Sequence, residues 1–333
     1  MPMMLQLIQN FPKHIADSLI IAEGVGKVWS PLKRPVLQVV VTGLGGSGIG
    51  GTIAADLCSA SARVPVLVNK GYSLPHWIGP GTLVVACSYS GNTEETLSAL
   101  DQAMAAGCMV TAITSGGELK QRADKLGWNV SVVPGGSPPR SMFGYALIQI
   151  LAHLDLAGVG TPPEWKAQAA QAVLSLEARR SEHLAQAELI SDALEGKTVA
   201  VYAASGIAGV ATRWRQQLNE NSKMPAWDAE VPEMNHNEMV GWAGGGAQFC
   251  AVFLHSTADA PRNRMRMELN APAIRARGNS AIALHAEGAS ALEQVLDLVA
   301  LGDWVSYVLG LRNGVDIMDI KVIDDLKEAL SKA

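Results

Sequence analysis

Val36-Leu37-Gln38-Val39-Val40-Val41, running into Thr42-Gly43-Leu44-Gly45-Gly46-Ser47-Gly48, decides the fold. A β-branched run of this kind reads as a buried strand. Gly43 to Gly46 form a turn, and Ser47 to Ser59 reads as a helix with Ser47 near its N-terminus. The pattern recurs outward. Val64–Asn69, Leu83–Cys87, Met109–Thr114 and Asn129–Val133 read as strands. Helices are expected over Asn92–Ala106, with Asn92 or Thr93 as cap and Glu94 and Glu95 in the first turn, and over Gly117–Leu126. Another opens at Pro138 or Pro139 and runs to about Leu156. Strand–helix alternation at this spacing predicts a parallel sheet covered on both faces.

At 333 residues the chain has room for two domains of about 150 residues each. Gly158–Trp165, with two prolines, reads as the boundary, giving domains over 1–160 and 161–333. Lys166–Leu194 reads as a long amphipathic, alanine-rich helix that bridges the halves, with a bend allowed. The plan then repeats, with strands over Thr198–Tyr202, Gln248–His255 and Asn279–His285. Helices are expected over Ile207–Asn221, Ser290–Leu311 and Ile323–Ser331. Gly46-Ser47-Gly48-Ile49-Gly50-Gly51 matches Ala204-Ser205-Gly206-Ile207-Ala208-Gly209 at four of six positions, 158 residues on. Each segment follows a strand and opens a helix, as a duplicated α/β unit requires.

Hydrophobic residues make up 48% of the chain and charged residues 17%, which excludes a disordered or coiled-coil protein. A net charge of −5 with no basic run argues against nucleic acid. Cys58, Cys87, Cys108 and Cys250 form no C-x-x-C pair, so neither a zinc ribbon nor a disulfide framework is expected. The apolar settings of Cys87 and Cys108 suggest a reducing cytoplasm. Met1–Lys13 has no signal-peptide pattern, and Asp297 and Asp303 interrupt the apolar stretch Val295–Leu311, so no membrane span is expected. His153 falls in an apolar helix and reads as core; the remaining histidines form no metal spacing.

Gly43-Leu44-Gly45-Gly46-Ser47-Gly48 satisfies G-x-G-x-x-G after a strand. A dinucleotide site also needs an acid at the end of the second strand. Val68-Asn69-Lys70-Gly71 supplies none, which disfavours a nicotinamide oxidoreductase. Ser88-Tyr89-Ser90-Gly91-Asn92-Thr93 crowds three hydroxyls and free backbone N–H groups at a helix N-terminus, an arrangement that attracts anions. Capping by Ser90 or Thr93 needs only one hydroxyl. Without a P-loop lysine, a phosphomonoester fits better than a nucleoside triphosphate.

This Ser-x-Ser-Gly-x-Thr turn, with Gly45-Gly46-Ser47-Gly48 upstream, resembles the sugar isomerase (SIS) domain. Two such halves without an appended domain resemble the bifunctional phosphoglucose/phosphomannose isomerases of archaea and bacteria. The resemblance covers nearly the whole chain and is strongest in Val41–Ala55, Ala86–Leu97, Thr114–Gly117, Pro134–Phe143, Leu218–Asn237 and Ile323–Leu330. It implies an α/β fold of two tandem SIS domains and an isomerase of hexose 6-phosphates working without metal or cofactor. Gly46, Ser47, Ser88, Ser90 and Thr93 would bind phosphate.

The chemistry needs a ring-opening proton shuttle, a base between C1 and C2, and a group that stabilises the enediolate. Glu220, in Asn219-Glu220-Asn221, matches the family's base; flanking asparagines can orient a carboxylate without neutralising it. His236, in Pro232-Glu233-Met234-Asn235-His236-Asn237, matches the ring-opening histidine, which the family delivers to the partner subunit's site, implying a homodimer. Arg140, stiffened by Pro138 and Pro139, suits the enediolate, since the helix dipole disfavours a merely structural cation there. Lys327 matches the family's C-terminal Ile-Asp-x-Leu-Lys segment and would reach sugar hydroxyls or the ring oxygen. Ile320 stands where members active on mannose tend to carry threonine, and an apolar group supplies no hydroxyl. The alternatives are a non-catalytic sugar-phosphate sensor on the same fold, against which stands the lack of an output domain, and an isomerase of another phosphosugar.

Overall fold

Two parallel sheets organise the chain. The computed structural model describes residues 3–330 and 332, so the expected helix end at Ser331 lies outside the described residues. The first sheet contains β1 (Gln38–Thr42), β2 (Val66–Asn69), β3 (Thr82–Cys87), β4 (Met109–Thr114) and β5 (Asn129–Val132), ordered β2-β1-β3-β4-β5. The second contains β6 (Thr198–Ala204), β7 (Ala226–Val231), β8 (Phe249–His255) and β9 (Ser280–His285), ordered β7-β6-β8-β9. The first four strands of each half therefore occupy matching places, and β6 stands where β1 does.

The helices are α1 (Met3–Gln9), α2 (Phe11–Val28), α3 (Gly45–Cys58), α4 (Glu94–Ala105), α5 (Gly117–Leu126), α6 (Phe143–Leu156), α7 (Trp165–Ala178) and α8 (Arg180–Leu194). The second half adds α9 (Ala208–Ser222), α10 (Glu238–Gly241), α11 (Pro261–Arg275), α12 (Ala291–Arg312) and α13 (Lys321–Leu330). Strand alternation divides the core. Val40, Val84 and Ala86 pack under Leu100 of α4 and Leu119 of α5. Val39, Val41, Leu83 and Val85 face the other way, into a core that includes α3 and α6 and continues through Val199, Val201 and Ala203 to α9 and α12. On the far face of the second sheet, Ala200, Tyr202 and Phe253 pack against Met267 and Ile274 of α11. His153 is fully buried, bonded to Ser131 Oγ at 2.8 Å and Thr111 Oγ1 at 3.0 Å, and burial pushes its pKa down to about 3.

One expectation changes, and two elements appear where the sequence reading assigned none. The bridging helix is two helices, α7 and α8, broken at Arg179 (φ −92°, ψ 7°), whose guanidinium reaches Asp297 of α12 at 2.6 Å. β7 is a strand that its acidic residues conceal: Asp228 is bound by Thr212 and Arg215 of α9. α11 is a helix despite four arginines and an internal Pro272. Short 3-10 turns at Pro139–Met142 and Ser205–Ile207 lead into α6 and α9.

α3 and α9, the paired helices of the two halves, meet at Gly209. A Cβ there would lie 2.8 Å from Ile53 Cγ1, and its N–H donates to Asp56 Oδ2 at 2.9 Å. Burial raises the Asp56 carboxyl to about 6, against the pull of that N–H. A raised carboxyl pKa means the folded protein holds the proton more tightly, so this group's contribution to stability falls as pH rises between 3.8 and about 6. Asp56→Asn keeps an acceptor for Gly209 and removes the charge. We expect it to stabilise the protein by about 1–2 kcal/mol at neutral pH, below the full linkage value because Asp56 is half-exposed. Urea denaturation at pH 4 and pH 7 should show the pH dependence flattened in the variant.

Candidate functional site

The turns after β1 and β3 lie side by side, where the connections leave the sheet in opposite directions, the usual place for a ligand in an open α/β sheet. A Cβ on Gly43 would lie 2.5 Å from the Cys87 carbonyl oxygen, and one on Gly46 2.7 Å from that of Pro139. Side chains at either position would force the two turns and the Arg140 loop apart. Ser47 is buried at the start of α3, beside the Cys87 thiol, which burial pushes up to about 12. In the second turn Ser88 Oγ and Thr93 Oγ1 share a hydrogen bond of 2.8 Å, the Gly91 N–H donates to Ser88 Oγ, and the Asn92 N–H donates to Ser90 Oγ. Thr93 holds the N-cap position of α4 without a side-chain cap bond. The hydroxyls thus shape the turn and leave the first N–H groups of α4 for another acceptor. Gly91 has φ +74°, and a Cβ there would lie 1.9 Å from the Gly116 carbonyl oxygen.

The matching turn after β8 is closed. The Ser256 N–H donates to Asp259 Oδ2 at 2.9 Å, and the Thr257 N–H to Gln294 Oε1 at 3.0 Å. Ser256 Oγ also donates to Gln294 Oε1, at 2.6 Å.

Arg140 sits in the 3-10 turn after β5 and is buried, at 4% exposure. Its Nε donates to Asn221 Oδ1 at 2.8 Å, its Nη2 to the Ile317 carbonyl at 2.7 Å, and its Nη1 lies 3.4 Å from Glu220 Oε2. Burial lowers the Arg140 pKa and the Glu220 charge partly restores it. The asparagines do not act as the motif suggests. Asn219 donates to the Met224 carbonyl and Asn221 holds Arg140, so among the described residues the hydrogen-bond partner of the Glu220 carboxylate is Arg140 itself. The carboxylate is oriented by an adjacent cation, not by neutral amides.

Several supports of this pair are not evident from the sequence. Asn221 Nδ2 donates to Ser306 Oγ, and Ser222 Oγ to the Ser306 carbonyl, pinning the end of α9 to α12. Arg213 Nη2 donates to the Arg140 carbonyl at 3.2 Å and pairs with Asp303 at 2.8 Å; Gln217 also donates to Asp303, and the Arg213 guanidinium lies 4.4 Å from the Phe143 ring centroid. Burial raises the Asp303 carboxyl, and Arg213 opposes the rise. The available signal was an acid inside an apolar helix, matched by Arg213 and Gln217 one helical turn apart.

Among the described residues neither His236 nor Lys327 bonds to Arg140 or Glu220. Glu220 precedes the start of β7 and His236 follows its end, so a six-residue strand, roughly 17–20 Å, separates them. His236 is exposed, and among the described residues no hydrogen bond joins it to Arg140 or Glu220. Lys327 is on α13, none of whose described residues is buried. Ile320 lies three residues beyond Ile317, whose carbonyl holds Arg140.

A family model for the bacterial phospho-glucose isomerase C-terminal SIS domain matches residues 184–330. A bifunctional phosphoglucose/phosphomannose isomerase of Caldicellulosiruptor bescii is 36% identical, with 99% of each chain covered. The chain belongs to the bifunctional phosphoglucose/phosphomannose isomerase family. An Aquifex aeolicus protein of the same name is 35% identical, covering 93% of this chain and 94% of its own. The fold also matches tagatose-6-phosphate ketose/aldose isomerase from Escherichia coli, with a TM-score of 0.70 at 17% identity, covering 95% of this chain and 96% of that one. These likenesses agree with the tandem SIS fold expected from the sequence.

The buried Arg213–Asp303 pair allows a stability test in this family member. Asp303→Ala leaves a buried guanidinium unpaired and should cost about 3–5 kcal/mol. Combining Arg213→Met with Asp303→Leu should recover most of that loss, as read by urea denaturation.

Proposed function

We propose that this protein interconverts glucose 6-phosphate and fructose 6-phosphate, and mannose 6-phosphate as its relatives' names indicate, through a cis-enediolate. The observation that carries this reading is the Glu220 carboxylate, half-buried, 3.4 Å from a buried and fully engaged Arg140 guanidinium. A carboxylate that contacts both protein and solvent can shuttle a proton between C1 and C2 of a docked sugar. The fixed guanidinium beside it offers positive charge where the enediolate oxygens develop negative charge. The turns carrying Gly46, Ser47, Ser88, Ser90 and Thr93 would hold the phosphate, whose binding energy sets the register of the reacting carbons.

His236 would open the ring in the site of a partner subunit. The length of β7 supports this, because one chain holds Glu220 and His236 at opposite ends of that strand. Lys327 would reach the sugar from α13. The four unpaired cysteines support a cytoplasmic setting.

Purified protein should convert fructose 6-phosphate to glucose 6-phosphate in a coupled assay, and Glu220→Gln should lower kcat by about a thousandfold while phosphosugar binding persists. Retained activity in that variant would reject Glu220 as the base, and binding without turnover by the unaltered protein would favour a sensor. A parallel assay with mannose 6-phosphate reads the effect of Ile320. For the shared site, Glu220→Gln and His236→Ala protomers, each inactive alone, should recover about a quarter of normal activity when mixed and reassembled, because half the dimers are mixed and each of these has one intact site. No recovery despite confirmed subunit exchange would place His236 in its own chain's site or outside catalysis.

A further inference from the structure

A cavity of about 340 Å3 opens on the second sheet, walled by Trp227, Trp242 and Phe249 with Glu238 beside them. It lies on the face turned away from the Arg140–Glu220 pair. Asp228 bonds to α9, so its neighbour Trp227 projects from the opposite face. Cys250 lies in the core shared with α9 and α12, so Phe249 does the same. Gly241 and Gly244, where a Cβ would meet nothing within 4 Å, leave the rim open.

The walls are held in place. Trp227 and Trp242 lie 6.1 Å apart between centroids at 31°, and Phe249 meets Trp242 at 6.4 Å and 87°. Trp242 Nε1 donates to the Tyr202 hydroxyl at 3.1 Å. Tyr202 Oη and Trp227 Nε1 both donate to Glu238 Oε2, at 2.7 and 3.0 Å. Burial and the Glu238 charge raise the Tyr202 pKa, keeping that hydroxyl a donor. The two donors that reach Glu238 are neutral and converge on one carboxylate oxygen. Among the described residues Glu238 Oε1 has no hydrogen-bond partner, and no lysine, arginine or histidine pairs with Glu238.

A half-buried carboxylate among aromatic side chains, with no counter-ion from its own chain among the described residues, is complementary to a cation that sheds its water readily. An alkylammonium group meets that description; a phosphorylated sugar does not, since Glu238 repels it. The volume is at the small end of the range for ligand pockets, about 300–1,000 Å3. We propose that this pocket binds a compact organic cation of the alkylammonium type, held by the faces of Trp227 and Trp242 and by Glu238.

The test titrates the full-length protein with choline and with its neutral isostere, in which carbon replaces the nitrogen, following tryptophan fluorescence. Choline should bind at least about tenfold more tightly than the isostere. Glu238→Gln, which retains an acceptor for Tyr202 and Trp227, should abolish that difference. Equal binding of the two probes, no saturable signal with choline, or displacement of choline by glucose would each overturn the proposal. The comparison of probes on the unaltered protein decides the matter even if the variant fails to fold.

Discussion

A guanidinium removed from water must find acceptors, and Arg140 finds them in distant parts of the chain. Burying such a charge without partners costs several kcal/mol, so the fold is constrained to deliver them. Asn221 and Glu220 come from the end of α9, and the Ile317 carbonyl from the connection to α13. The loop after β5 thereby fixes where two later segments must sit. Arg213 extends the constraint by tying the Arg140 carbonyl to Asp303 on α12. Glu220 lies at the margin of this network, held by it but still half-exposed.

Much of the architecture was legible because burial on both faces leaves a plain trace. The runs Val39–Val41 and Leu83–Cys87 are apolar and uninterrupted, and they lie in the central strands β1 and β3. β7 left no such trace. It is an edge strand, Asp228 serves a contact outside the sheet and Glu230 is exposed, so Ala226–Val231 looks polar. The position of the break at Arg179 was hidden too, since one partner of that residue, Asp297, lies more than a hundred residues away.

The site was legible to a different degree. The hydroxyl-rich turns could be read locally, since their hydroxyls, glycines and helix start are contiguous. Glu220 and Arg140 were found through motifs, but their relation was not, because it spans 80 residues. The role of Asn221 was misplaced for the same reason. Adjacency in sequence suggested that it serves Glu220, whereas its amide faces a guanidinium from the other half of the molecule. Helix packing, not chain proximity, selects the partner.

The closed turn after β8 gives the duplication a meaning. Asp259 and Gln294 present oxygen atoms to the backbone N–H groups of that turn. The second half has in effect become its own ligand. Two copies of one architecture have thus divided their labour. The first keeps a turn whose leading N–H groups stay open, and the second, with its own turn closed, contributes Glu220 to the contact with Arg140. Under the proposed function, this asymmetry between the halves would let a phosphorylated guest be seated in one direction only.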